Sequence, residues 1–112
     1  MYRYATASWP VLKKNPRIDL AYTMIQENIL IINKLGLHAR AAAKLVSTAS
    51  AFASQLQIGH SGRMVDCKSI MSVMMLAASK GTEVQLSADG KDEQAAIDAV
   101  IDLINRRFDE EE

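Results

Sequence analysis

A chain of 112 residues, 49% hydrophobic and 23% charged, has the composition of one globular domain with a single modest core. Its 13 basic and 13 acidic residues cancel, which argues against binding nucleic acid or a membrane surface through bulk charge, so anion recognition has to be local. No apolar run approaches the roughly 20 residues of a bilayer span, the lone Cys67 cannot form an internal disulfide, and no Cys/His cluster has metal-ligand spacing. These features predict a cytoplasmic protein with neither membrane insertion nor a bound metal.

The chain changes character near Thr23. Both prolines and four of the six aromatics, Tyr2, Tyr4, Trp9 and Tyr22, precede it, and all five glycines follow it. Residues 1–23 show no sustained period of 2 or 3.6 and are expected to be a poorly ordered extension or to precede the true start at Met24. The folded domain is expected over 24–112.

From there the glycines punctuate the chain. A β-branched strand is predicted over about 25–33, and Ala42, Leu45, Ala49 and Phe52 then recur at helical spacing, predicting a first helix over about 39–53. Gly59 and Gly62 bracket His60-Ser61 between two short runs, Gln55 to Ile58 and Arg63 to Asp66, the pattern of a hairpin. Ser69 can cap a short second helix that ends before Gly81, with Val73 and Met75 expected in the core. Thr82 to Ser87 alternates as a half-buried strand. Ile97, Ile101, Ile104 and Phe108 then line one stripe of a third helix over about 91–108. The order β-α-β-β-α-β-α packs economically as an α+β open-faced sandwich, a four-stranded antiparallel sheet with three helices on one face.

The run Gly36-Leu37-His38-Ala39-Arg40 carries the chemistry. It places an imidazole at the mouth of the first helix and a guanidinium two residues on. Backbone N–H groups at a helix start are unpaired and partly positive, so a phosphoryl group on His38 would meet those donors and Arg40 together.

The run Asn33 to Arg40, the run Lys68-Ser69-Ile70-Met71 and the element order together resemble the histidine-containing phosphocarrier (HPr) family of the bacterial phosphotransferase system, over residues 24 to about 108. The resemblance implies a phosphoryl relay in sugar transport rather than an enzyme with its own turnover, acting as a monomer without a cofactor. It implies that His38 accepts a phosphoryl group on its δ nitrogen from phosphorylated enzyme I and passes it to an enzyme IIA domain, with Arg40 neutralising the phosphoryl oxygens. Imidazole suits the task, since it is nucleophilic near neutral pH and its phosphoramidate stays reactive.

The same resemblance makes Ser69 a site of regulatory phosphorylation by an HPr kinase/phosphorylase, and Ile70, Met71 and Met74 a docking patch for partners. Six methionines suit such an adaptable surface. Two departures stand out. Ala41 replaces a proline common after the arginine, and the acidic ending Asp109 to Glu112 is closer to nitrogen-type relatives, whereas Lys68 to Met71 is closer to sugar-type ones. A regulatory binding module signalling through Ser69 without a sugar-transport role is the main alternative. Gly59-His60-Ser61-Gly62 matches the Gly-x-x-Gly loop of KH-type RNA binders, but it lies between strands rather than helices. His60 is expected to be a solvated turn residue, and Cys67 a half-buried, inert thiol.

Overall fold

The computed structural model describes residues 24–112. The expectations for residues 1–23 lie outside the described residues. Strand β1 (Ile25–Leu30) is followed by helix α1 (Ala39–Ser50), the hairpin β2 (Gln55–His60) and β3 (Arg63–Asp66), helix α2 (Ile70–Leu76), strand β4 (Glu83–Asp89) and helix α3 (Glu93–Asn105). This is the expected order. The strands form one antiparallel sheet in the order β1-β4-β2-β3, so β4 inserts between the first strand and the hairpin.

Side-chain alternation gives the sheet two unlike faces. Val84, Leu86 and Ala88 of β4, with Leu56 and Ile58 of β2, lie buried beneath the helices. The opposite face is lined by Gln26, Asn28, Gln57 and Gln85 with Met24 and Met64 at its ends. The sandwich is therefore open on a polar side.

The helices complete the core. Ala41, Ala42 and Ala49 flank Leu45 on the buried face of α1, and small side chains there let the helix backbone approach its neighbours closely. The face of α3 contributes Ala96, Ile97, Val100, Leu103 and Ile104. The short α2 buries only Val73 and Leu76.

Several boundaries differ from expectation. Strand β1 ends at Leu30, although Ile31 continues the pairing through its N–H to the Thr82 carbonyl at 3.0 Å and its carbonyl to the Gly81 N–H at 2.8 Å. Gly59 and His60 belong to β2, and the hairpin turn contracts to Ser61-Gly62, whose φ values are 56° and 81°. His60 is accordingly no turn residue: its Nε2 lies 3.3 Å from the Leu76 carbonyl. Met75 is exposed rather than core, because Met71, Met74 and Met75 share the outer face of α2 at i, i+3 and i+4. Cys67 is fully rather than half buried, and burial pushes its thiol up to about 12.

The third helix stops at Asn105. Arg107, Phe108 and Asp109 form a single turn in which all three residues have positive φ (58°, 54° and 63°). Left-handed backbone costs L-residues roughly 1–2 kcal/mol each, and full burial of the Phe108 ring, at about 3 kcal/mol, offsets part of that. The turn redirects the chain, so the acidic ending runs back towards the mouth of α1.

Candidate functional site

The site is built from a tight turn, a helix mouth and the end of the chain. Gly36 is left-handed (φ 66°), and a Cβ there would lie 2.5 Å from the Ala78 carbonyl oxygen and 2.8 Å from the Ser79 Cα. Glycine is required by both conformation and space. The Leu37 N–H donates to the Ala78 carbonyl at 2.9 Å, which ties the loop to the segment leaving α2.

His38 is the N-cap of α1, in extended conformation, and its side chain makes no capping bond. The helical ladder starts with the Ala42 N–H donating to the His38 carbonyl at 2.8 Å. The N–H groups of Ala39, Arg40 and Ala41 therefore have no helical carbonyl to bond, and they supply the donors expected at a helix start. His38 and Arg40 line one shallow cleft with Lys34, Leu35, Asp109 and Glu110. The Arg40 side chain is exposed there.

A carboxylate from the far end of the sequence faces the imidazole. Nε2 of His38 hydrogen-bonds Oε2 of Glu110, and Oε1 of Glu110 accepts a bond from Nδ2 of the buried Asn33 at 3.0 Å. Burial pushes the Glu110 carboxyl up, but the bonds from Asn33 and His38 and the attraction of His38 and Arg40 outweigh it and hold it below its ordinary value. Asn33 also donates to the Gly36 carbonyl at 2.8 Å, so one side chain organises both the turn and the acidic tail.

That tail is well anchored. Lys44 Nζ donates to the Phe108 carbonyl at 2.8 Å, and the Lys34 ammonium lies 3.1 Å from Glu112 Oε1. Sequence position conceals this arrangement, because 72 residues separate His38 from Glu110. The one available signal was Phe108, a large apolar residue just before four acids.

Ser69 caps α2, its Oγ accepting from the Ser72 N–H at 3.3 Å. Ile70, Met71 and Met74 are exposed on that helix, Met71 most of all at 66%. The contacts of Gly36 and Leu37 with Ala78 and Ser79 bring the end of α2 against the His38 loop. Among the described residues no His, Cys, Asp and Glu cluster could hold a metal ion, and no helix is long and apolar enough to cross a membrane.

Residues 25–106 match the family model described as "PTS HPr component phosphorylation site". The chain is 57% identical over 89 residues to the phosphocarrier protein HPr of Cupriavidus necator, covering 80% of this chain and all of the relative. It is 54% identical over 90 residues to that of Pseudomonas putida, with the same coverage of each. Among solved structures, HPr of Thermoanaerobacter tengcongensis superposes with a TM-score of 0.76 at 49% identity, over 79% of this chain and 99% of that one.

Proposed function

The chain belongs to the HPr phosphocarrier family, and on that footing we propose that His38 accepts a phosphoryl group on Nδ1 from phosphorylated enzyme I and passes it to an enzyme IIA domain. The observation that carries this assignment is the imidazole at a helix mouth whose first three N–H groups lack helical partners, with Arg40 in the same cleft. As the donor's P–N bond breaks, the Nδ1 lone pair forms the new one. The phosphoryl dianion then meets the N–H groups of α1 and the Arg40 guanidinium, both of which favour negative charge. No bond to carbon is made or broken, so positioning and charge stabilisation suffice. The protein is a carrier, and residues 24–112 form the carrying unit.

Exposed Ile70, Met71 and Met74 form the docking patch in this scheme. Phosphorylation of Ser69 by an HPr kinase places a dianion beside that apolar surface, where it opposes docking. Incubation with labelled phosphoenolpyruvate and enzyme I tests the central step. Wild type should take label and His38→Ala should not; equal labelling of the two would end the assignment. A regulatory module signalling through Ser69 would instead be phosphorylated by the kinase and pass nothing to any IIA domain.

A further inference from the structure

We infer that Glu110 is a positioning residue for the carrier histidine: it accepts a hydrogen bond from Nε2–H of His38 and so holds the ring in the tautomer whose Nδ1 bears the lone pair. The inference rests on His38 being the acceptor. It goes beyond that assignment by naming what selects one ring nitrogen over the other.

The argument runs through Asn33. Its Nδ2 donates to the Gly36 carbonyl at 2.8 Å and to Glu110 Oε1 at 3.0 Å. Reversing the amide would turn Oδ1 towards two acceptors, so the donor end has to face Glu110. An ionised carboxylate only accepts, and its second oxygen faces His38 Nε2. Nε2 therefore carries the hydrogen. Nδ1 has no hydrogen-bond partner among the described residues, so whenever the ring is neutral its lone pair lies there.

The proton balance fits transfer in both directions. When Nδ1 forms the P–N bond, Nε2 keeps its hydrogen and the ring gains positive charge, which the Glu110 carboxylate stabilises. When the group leaves, the electron pair returns to Nδ1 and the ring is neutral again. No proton has to enter or depart. A carboxylate that orients an imidazole and stabilises its cationic form works the same way in hydrolytic triads. The anchoring of the tail by Phe108 and Lys44 holds Glu110 in place.

Glutamine at 110 gives the decisive test. Asn33 would still donate to the Glu110→Gln carbonyl, which turns the new amide N–H towards His38 Nε2. Nε2 then has to accept, the hydrogen moves to Nδ1, and the nucleophile is blocked. Glu110→Ala merely releases the ring, which keeps both tautomers.

Nitrogen-15 spectra of the His38 ring in the unphosphorylated protein should show Nε2–H in wild type, Nδ1–H in E110Q and a mixture in E110A. Phosphoryl transfer from enzyme I should slow on the order of tenfold in E110A and on the order of a hundredfold in E110Q. Glu110→Asp should restore part of the rate. A purely structural role predicts the reverse order, since glutamine is the better mimic of shape. If E110Q keeps the Nε2–H tautomer, or transfers as fast as E110A, the role of Glu110 is wrong even though wild type labels at His38. If His38→Ala also takes label, it is the acceptor assignment that fails.

Discussion

Substituting Gly36 by alanine should damage both the fold and the site, and the size of the effect follows from its surroundings. The left-handed φ of 66° costs alanine roughly 1 kcal/mol. The added Cβ would sit 2.5 Å from the Ala78 oxygen and 2.8 Å from the Ser79 Cα, both backbone atoms, so the loop has to retreat by about 1 Å to reach ordinary contact. That movement breaks the bond from the Leu37 N–H to the Ala78 carbonyl, between residues only 4% and 3% exposed, at a further cost of about 1–3 kcal/mol. The total is about 2–4 kcal/mol, which for a domain of this size lowers Tm by roughly 10–25 °C.

Gly62→Ala is the internal control. Its φ is 81°, but nothing lies within 4 Å of the added carbon, so only the conformational cost of about 1 kcal/mol applies. Thermal unfolding followed by circular dichroism measures both variants, and phosphoryl transfer below the lower Tm reports the displaced His38, expected to be about a hundredfold slower in Gly36→Ala. Equal stability of the two variants would refute the steric argument.

Phe108→Ala should cost about 3–5 kcal/mol in urea denaturation, because the ring is fully buried; a loss under 1 kcal/mol would mean that the tail is not anchored there. Glu110 and Asp92 both titrate below their ordinary values, Asp92 through the Ser54 hydroxyl and the Ala53 and Ser54 N–H groups. The folded state therefore binds fewer protons than the unfolded one, so the contribution is present above the ordinary values of 4.5 and 3.8 and is lost as pH falls through and below them. The midpoint pH of acid unfolding should rise in Asp92→Asn and Glu110→Gln, and an unchanged midpoint in both would contradict this linkage. Cys67, with its thiol pushed up to about 12, should react with a thiol reagent at neutral pH only as fast as the domain opens; rapid labelling in the absence of denaturant would be inconsistent with its burial. Arg40→Ala should slow transfer about tenfold without moving Tm by more than a degree or two, since its side chain is exposed.

The parts of this molecule legible in its sequence are those that depend on local order. Helical spacing of Ala42, Leu45 and Ala49 and of Ile97 and Ile104 marks buried faces that the structure retains, whereas Ile101 of the same stripe is only partly buried. Glycine punctuation separated the elements in the right sequence. Errors arose where neighbouring structure decides. Hydrophobicity places Met75 in the core, although the seven-residue helix buries only Val73 and Leu76 on its inner face. His60 looked like a turn residue until the type of turn, set by Ser61 and Gly62, lengthened β2. Phe108 fits the stripe of α3 by spacing, yet it is buried from a left-handed turn beyond the helix end. His38 and Arg40 were visible because they are two residues apart. Glu110 was not, because its partnership depends on tertiary closure by Phe108 and Asn33.

A carrier has to hold its cargo without keeping it, and the two sides of the imidazole divide that work. In the proposed scheme the free N–H groups of α1 and the exposed Arg40 favour a dianion, yet Arg40 is solvated, and an exposed charge contributes only about 0–1 kcal/mol. On the other side stands Glu110, an anion whose attraction is for the ring and whose Coulomb interaction with the phosphoryl oxygens is repulsive. Glu111 lines the same cleft and adds to that repulsion at longer range, whereas Asp109 and Glu112 are paired with Arg106 and Lys34. A phosphoryl group on His38 would thus be stabilised at the ring and the helix mouth and opposed by the tail. A deeper cleft or a second buried arginine would bind phosphate more tightly and make it a sink. If His38 is the acceptor, as proposed, the acidic residues beside it should keep the phosphoryl group's free energy high enough for onward transfer.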